Sequence, residues 1–238
     1  MPALAIAGYY AILDVRAPAH PAPGVGPGIL PAVQVAAELE RVGQLLAAGP
    51  CCLQLRGKNV ADGALLSLAR QVAGLAHAAG VPFCLNDRPD LGFLAGADVV
   101  HVGQEDLSIA EVRAVQRALG RVTPIGVSTH NLAQAQAAVA AGADYIGFGP
   151  VFATSSKVRP DPVVGLAALA EVCRTVTVPV VAIGGISRAR IAGVVETGAA
   201  AAAVIGDVDQ AADRTAAGRE IGRAFEASAF GAKRTSHV

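Results

Sequence analysis

Short runs of apolar, largely β-branched residues recur along the chain, and each is followed by a longer segment rich in alanine and leucine. Eight of these runs are predicted to be strands: Tyr9–Asp14, Cys51–Leu55, Phe83–Asn86, Val99–Val102, Pro124–Val127, Tyr145–Phe148, Val180–Ile183 and Ala202–Ile205. Between them, apolar residues recur near the 3.6-residue period of a helix. The predicted helices are Gln34–Ala48, Asp62–Ala79, Ser108–Leu119, Leu132–Ala141, Leu166–Thr175, Arg188–Thr197 and Gln210–Ala229.

The alternation of strands and helices predicts the fold class. Strands that are apolar throughout are typical of a parallel sheet covered on both faces. Eight strand–helix units without a change of composition favour closure over an open doubly wound sheet, and the 238 residues suit one barrel. We predict an α/β fold, a single parallel (β/α)8 TIM barrel over residues 1–230. The Pro/Gly-rich segment Ala17–Pro31 is predicted to be an irregular insertion, and residues 231–238 a disordered tail.

Composition and charge narrow the classes of partner. Lys plus Arg and Asp plus Glu both number 19, so the overall charge offers no attraction for nucleic acid. No window reaches the roughly 18 apolar residues of a membrane span, and no secretory leader is recognised. The four cysteines lack zinc-type spacing and are predicted to be buried thiols. We expect a cytoplasmic protein that binds small molecules and neither nucleic acid nor membrane; a homo-oligomer is compatible with the sequence.

Polar residues follow the predicted strands, at the carboxyl ends where barrels carry their active sites. After the second strand, Gln54, Arg56 and Lys58 alternate along the chain and therefore share one side. Two cations there suit an oligophosphate. The structural alternative is an ion pair at the rim with Asp62 or Glu105.

Two carboxylates follow the third and fourth strands. Asp87 stands in Asn86-Asp87-Arg88, and Asp106 follows the neighbouring strand. Such a pair suits Mg²⁺ that also binds phosphate. The alternative is structural, with Asp87 paired with Arg88 and Asp106 capping the helix that begins at Ser108.

Two histidines and three other polar residues lie on or after the fourth and fifth strands. His101 lies in an apolar strand and is interpreted as a hydrogen-bonded barrel residue in preference to a ligand. Ser128 can contribute to a polar ring, and Thr129 or Asn131 can cap the next helix. His130 stays open between a catalytic base and a rim side chain.

Loops after the last three strands complete the candidate site. Thr154, Ser156 and Lys157 follow the sixth strand, and Lys157–Gly165 is predicted to be a mobile active-site loop, with a structural loop as the alternative.

The glycines of Gly184-Gly185 and Ile205-Gly206 follow the seventh and eighth strands, where barrels commonly bind phosphate with backbone N–H groups. The residues that follow the predicted strands therefore form two separate anion sites, and these sites predict two phosphorylated substrates.

These motifs, in this order, closely resemble the thiamine phosphate synthase family from about Gln54 to Ile205. The resemblance is carried by Gln54-Leu55-Arg56-Gly57-Lys58, Asn86-Asp87-Arg88, Gly103-Gln104-Glu105-Asp106, Gly126-Val127-Ser128-Thr129-His130, Gly147-Phe148-Gly149-Pro150-Val151-Phe152 and Ala182-Ile183-Gly184-Gly185-Ile186. It implies a Mg²⁺-dependent transferase that joins hydroxymethylpyrimidine diphosphate to hydroxyethylthiazole phosphate and releases pyrophosphate. A dissociative path through a stabilised cation agrees with such chemistry.

The resemblance also implies a role for each matching residue. Gln54, Arg56, Lys58 and Asn86 would hold the pyrimidine diphosphate, Asp87 and Asp106 the Mg²⁺, and Ser128 the pyrimidine; Thr154, Ser156 and Lys157 would span both substrates, and Gly185, Ile205 and Gly206 would bind the thiazole phosphate. The catalytic set would be Arg56, Lys58, Ser128 and Lys157. The family usually has Thr at Ser156 and Ser or a similar donor at Gly206, and its first loop is usually shorter than Ala17–Pro31.

Two other functions are weighed against the synthase. A thiazole tautomerase of the same fold would use His130 as its acid–base group, but such relatives usually lack the lysine and metal-carboxylate set. A non-catalytic barrel that senses phosphorylated metabolites is the other alternative. The presence of Asp87, Asp106 and Lys157 favours the synthase over both.

Overall fold

The computed structural model describes residues 5–20, 26–154 and 161–235. Eight parallel strands close into a barrel in chain order, with the first strand paired to the last. The strands are β1 (Gly8–Arg16), β2 (Cys52–Lys58), β3 (Phe83–Asn86), β4 (Val99–Val102), β5 (Ile125–Thr129), β6 (Tyr145–Phe148), β7 (Val180–Ile183) and β8 (Ala201–Ala203). The predicted TIM barrel is confirmed.

Helices surround the barrel in alternation with the strands. They are α1 (Ala32–Ala47), α2 (Asp62–Ala78), α3 (Pro89–Ala95), α4 (Ile109–Ala118), α5 (Leu132–Ala140), α6 (Gly165–Thr175), α7 (Ile191–Glu196), α8 (Gly206–Asp209) and α9 (Arg214–Thr235). A single 3₁₀ turn, Arg188–Arg190, precedes α7. None of the helices in the described ranges is long and apolar enough to cross a membrane.

The largest differences from the sequence prediction lie at short helices and at the carboxyl terminus. The helix α3 was not predicted, because seven residues starting at Pro89 give too little periodicity; Pro89 occupies the first turn, where its missing N–H costs nothing. The predicted helix Gln210–Ala229 begins later, and α8 precedes it. The backbone of residues 231–235 continues α9, where the sequence predicted disorder. Residues 236–238 and 21–25 lie outside the described residues.

Two apolar layers hold the barrel together because side chains of a strand alternate between its faces. On β1, Tyr9 and Leu13 pack outward against the helices. Tyr10 points inward and joins Cys84 and Tyr145 in a cluster inside the barrel. The four cysteines are free thiols; Cys52 and Cys84 are buried as predicted, whereas Cys51 and Cys173 are half-buried.

Candidate active site

A cavity of about 860 Å³ opens at the carboxyl ends of the strands. Every described residue of the predicted site lines it: Gln54, Arg56, Lys58, Asn86, Asp87, Asp106, Ser128, Thr154, Gly185, Ile205 and Gly206. Ser156 and Lys157 lie outside the described residues, as do residues 158–160 of the predicted loop Lys157–Gly165. The structure therefore brings together the strand-end residues that are separate in the sequence.

The two cations of β2 line this cavity, and each is paired with a carboxylate. Arg56 Nη1 lies 2.5 Å from Asp14 Oδ1, and Lys58 forms an ion pair with Asp87. Asp14 was not predicted, although it lies directly beside Arg56 in the β1–β2 register. The structural alternative of a rim pair with Asp62 is wrong, because Asp62 binds Arg88 instead. Both cations are thus held in position by carboxylates next to β2, one on β1 and one after β3.

The carboxylates Asp87 and Asp106 are neighbours across the loops after β3 and β4. Asp87 adopts a left-handed backbone conformation (φ 64°), and its N–H donates to the carbonyl of His101 at 2.8 Å. Asp106 Oδ2 accepts a hydrogen bond from the N–H of Gly103 at 2.6 Å. Burial raises the pKa of the Asp106 carboxyl, the Gly103 N–H opposes this, and the negative charge of Asp87 adds to it. The neighbouring Asp87 therefore opposes the ionisation of Asp106.

The structural alternatives for the two carboxylates are wrong. Arg88 pairs with Asp62 and Asp90, not with Asp87. The helix α4 is capped by Ser108, whose side chain and that of Glu111 form a capping box. Neither Asp87 nor Asp106 is therefore needed for these structural roles.

The carboxylate pair fits Mg²⁺ by its chemistry. Mg²⁺ is usually held by one or two carboxylates together with substrate phosphates, and it does not need a complete protein cage. Within the described ranges, no group of three or more His, Cys, Asp or Glu residues could hold a metal ion. A metal bound here would therefore complete its coordination with substrate oxygens and water.

A row of hydrogen bonds runs across the barrel beneath the cavity. Gln54 Nε2 lies 3.1 Å from Tyr10 Oη, which lies 2.9 Å from Tyr145 Oη. Tyr145 Oη lies 3.0 Å from His101 Nδ1, and His101 Nε2 lies 2.9 Å from Ser128 Oγ. The interpretation of His101 as a hydrogen-bonded barrel residue agrees with this geometry. Tyr10 and Tyr145 were missed, since inside strands they resemble ordinary apolar core positions.

The residues after β5 have distinct structural roles. Thr129 is buried and donates to the Gly147 carbonyl at 2.9 Å, whereas Asn131 caps α5 by accepting from the Gln134 N–H. His130 Nδ1 lies 2.6 Å from the Gly149 carbonyl oxygen, and its Nε2 lies 3.5 Å from Asp161. His130 thus tethers the loop after β6 while its ring borders the cavity.

The glycines after β7 are required by the close approach of a neighbouring loop. Gly184 and Gly185 have φ of 96° and 61°, which favours glycine. A Cβ on Gly185 would lie 2.3 Å from the carbonyl oxygen of Ala153. Gly206, at the start of α8, differs, because a Cβ there would meet nothing within 4 Å. The two loops border one side of the cavity and present backbone to it.

Comparisons with known proteins agree with this arrangement. A family model described as thiamine monophosphate synthase matches residues 29–208. A thiamine-phosphate synthase of Anaeromyxobacter dehalogenans is 48% identical over 179 residues, which are 75% of this chain and 79% of the relative. A thiamine-phosphate synthase of Myxococcus xanthus is 42% identical over 221 residues, which are 92% of this chain and 100% of the relative.

Solved structures show the same relationship. The thiamine phosphate pyrophosphorylase of Pyrococcus furiosus superposes with a TM-score of 0.76 at 28% identity, covering 92% of this chain and 96% of that chain. A 3-hexulose-6-phosphate synthase, at 22% identity and a TM-score of 0.66, shares the fold alone. The family match covers most of the chain, and it coincides with the strand-end residues that line the cavity. The chain therefore belongs to the thiamine monophosphate synthase family, whose members are transferase enzymes.

Proposed function

We propose that this enzyme joins 4-amino-2-methyl-5-hydroxymethylpyrimidine diphosphate to hydroxyethylthiazole phosphate and releases thiamine monophosphate and pyrophosphate. The observation that carries the proposal is that the lining of one cavity divides into two chemically different sides. Arg56, Lys58 and the carboxylate pair occupy the side formed by β2 to β4, and backbone from Gly185 and Gly206 borders the side formed by β7 and β8. This division suits one diphosphate and one monophosphate.

The diphosphate side would hold the leaving group. Asp87 and Asp106 would bind Mg²⁺, which when bound supplies positive charge to the diphosphate oxygens. Arg56 and Lys58 would bind the same oxygens, because a guanidinium fork and an ammonium both suit phosphate. Their existing contacts with Asp14 and Asp87 hold both cations near their working positions before the substrate arrives.

The reaction is a substitution at the methylene carbon of the pyrimidine. The bond between this carbon and the diphosphate oxygen breaks, and its electron pair leaves with pyrophosphate. The electron-rich aminopyrimidine stabilises the resulting cation, and the thiazole nitrogen donates its lone pair to form the new C–N bond. The chain's part is to orient both substrates and to neutralise charge on the leaving group with Arg56, Lys58 and, by the family resemblance, Lys157. No covalent bond to the enzyme forms.

On the thiazole side, backbone N–H groups would bind the monophosphate. Gly206 is exposed and lines the cavity, and its N–H would donate to the anion there. Ser128 lines the cavity and would contact the pyrimidine ring, and Gln54 of β2 would help to hold the pyrimidine diphosphate. Thr154, at the end of the described loop after β6, would contact both substrates, together with Ser156 and Lys157.

The experiment is an assay of pyrophosphate release in four arms: both substrates with Mg²⁺, each substrate alone, and both substrates with a chelator in place of Mg²⁺. The proposal predicts release only in the first arm. Conversion of a thiazole isomer without pyrophosphate release would instead support the tautomerase, with His130 as its acid–base group. Binding of either phosphate without turnover in any arm would indicate a sensor.

A further inference from the structure

The row of hydrogen bonds beneath the cavity can be followed as one continuous series from donor to acceptor. The Gln54 amide nitrogen carries only hydrogens, so it donates to Tyr10 Oη at 3.1 Å. A phenol has one hydrogen to donate, and the 2.9 Å between Tyr10 Oη and Tyr145 Oη permits either to be the donor; in the continuous series Tyr10 donates to Tyr145. Tyr145 in turn donates to His101 Nδ1 at 3.0 Å. The imidazole proton then lies on Nε2 and is donated to Ser128 Oγ at 2.9 Å.

Burial supports this assignment of protons. Both phenols are fully enclosed, and desolvation raises the pKa of Tyr10 and of Tyr145 well above the usual value. Both hydroxyls therefore keep the hydrogen that they donate in this row of hydrogen bonds. Ser128, at the end of this row of hydrogen bonds, accepts a hydrogen bond from His101. Its own hydroxyl hydrogen is left to be donated toward the cavity, which Ser128 lines.

A strand glycine makes room for Tyr145 in this row of hydrogen bonds. Gly126 lies beside Tyr145 in the β5–β6 register, and a Cβ on Gly126 would lie 2.1 Å from Tyr145 Cζ. The backbone of Ser128 is held separately, since its carbonyl accepts from Gln104 Nε2 at 2.6 Å. The hydroxyl is thus the part of Ser128 that the row of hydrogen bonds orients.

We propose that Tyr145 and His101 are positioning residues that act on the reaction through Ser128, by holding its hydroxyl as a hydrogen-bond donor to the pyrimidine substrate. The inference rests on the proposed function for its substrate. The direction of the hydrogen bonds is inferred for the free protein and does not depend on the substrate. A donor at Ser128 suits a ring nitrogen with a lone pair, which an aminopyrimidine offers.

The first measurement concerns the free protein and does not depend on its activity. The ¹⁵N chemical shifts of the imidazole in selectively labelled protein distinguish a proton on Nδ1 from one on Nε2. We expect His101 to carry its proton on Nε2, and Tyr145→Phe to disturb this preference. A proton on Nδ1, or on both nitrogens, at neutral pH would overturn the proposed direction even if the enzyme makes thiamine monophosphate.

The second measurement is a double-mutant cycle with Tyr145→Phe and Ser128→Ala. Tyr145→Phe removes one neutral hydrogen bond, so we expect kcat/KM for the pyrimidine diphosphate to fall about tenfold, with KM for the thiazole phosphate unchanged. In the Ser128→Ala background the same change should have less than a twofold effect, since the group through which it acts is gone. Equal effects in both backgrounds would mean that Tyr145 does not act through Ser128.

A matched control uses Tyr9, which precedes Tyr10 on β1. Tyr9 points outward on β1, and its buried hydroxyl has no hydrogen-bond partner among the residues that the structure describes. Tyr9→Phe should leave both kinetic constants within twofold of the wild type. A fall as large as that of Tyr145→Phe would show that loss of any buried tyrosine hydroxyl disturbs the barrel, and the positioning role would be withdrawn. Wild-type protein without turnover would reject the proposed function and leave the tautomer measurement valid.

Discussion

Replacing Asp87 by asparagine separates the proposed metal role from the fold. Asp87 has a φ of 64°, a conformation that Asn tolerates and that would cost alanine about 1 kcal/mol. Asn keeps the size of the side chain and removes one of the two neighbouring negative charges. Lys58 loses its partner, but its side chain is 45% exposed and its ammonium group stays hydrated. We therefore expect the free energy of unfolding to change by less than about 0.5 kcal/mol.

The effect on the reaction should be far larger. Removing one preorganised electrostatic contact to a developing charge typically costs about 3 kcal/mol, or at least about a hundredfold in rate. Asp87→Asn should lower kcat/KM by this factor and weaken Mg²⁺ binding in the presence of the pyrimidine diphosphate. The affinity for thiazole phosphate should stay within about twofold, because Gly185 and Gly206 lie on the side of the cavity formed by β7 and β8.

The assay combines steady-state kinetics with titration calorimetry for Mg²⁺ and for thiazole phosphate. Asp90→Asn is the matched control, since it removes the same charge from a half-exposed carboxylate that pairs with Arg88 outside the cavity. The control should behave as the wild type. Near-normal turnover in Asp87→Asn, or an equal loss of affinity for both substrates, would refute the assignment of Asp87 to the metal.

Three further changes test other parts of the account. Gly206→Ser should tighten thiazole-phosphate binding by up to about tenfold, by adding one charge-assisted hydrogen bond, and Gly206→Val should weaken it; calorimetry giving equal affinities would exclude this loop from the phosphate site. Gly126→Ala should lower the free energy of unfolding, measured in urea, by about 1–3 kcal/mol, because its Cβ would overlap the Tyr145 ring. Gly43→Ala, in open space on α1, should raise the free energy of unfolding by about 0.5–1 kcal/mol. Similar values for the two variants would contradict the packing argument. Burial raises the pKa of Glu38, although Arg41 opposes this rise. Ionisation of Glu38 therefore costs more in the folded protein than in the unfolded chain. Stability is consequently lost as pH rises above the usual glutamate pKa. Glu38→Gln removes this loss, and its stability relative to the wild type should increase between about pH 4 and neutral pH; a decrease over that range would refute the assigned direction.

The residues at the strand ends were predicted well because a barrel brings the carboxyl ends of all its strands to one face. Once eight strands are recognised, Arg56, Asp87 and Asp106 are known to meet at one mouth, whatever their separation along the chain. The same logic did not reach Asp14 or Tyr145. Asp14 precedes the Pro/Gly-rich segment on the longest strand, and its role depends on the sheet register that sets it beside Arg56.

Tyr145 shows a second limit of the sequence. Within a four-residue strand of buried residues, nothing in the pattern separates a tyrosine that packs from one that links two polar groups. The available signal was its alternation with Gly147 and its pairing with Gly126, since glycine within a strand often marks the close approach of a large neighbour. Such pairing becomes visible only when the barrel is closed, because it joins residues of different strands.

The most direct test of the proposed function is single-turnover product analysis. Purified protein in excess over the pyrimidine diphosphate is mixed with hydroxyethylthiazole phosphate and Mg²⁺, and the quenched reaction is analysed by mass spectrometry for thiamine monophosphate and pyrophosphate. The account predicts that the two products appear together in equal amounts and only when both substrates are present. Well-folded protein that binds both phosphates and forms no thiamine monophosphate would contradict it.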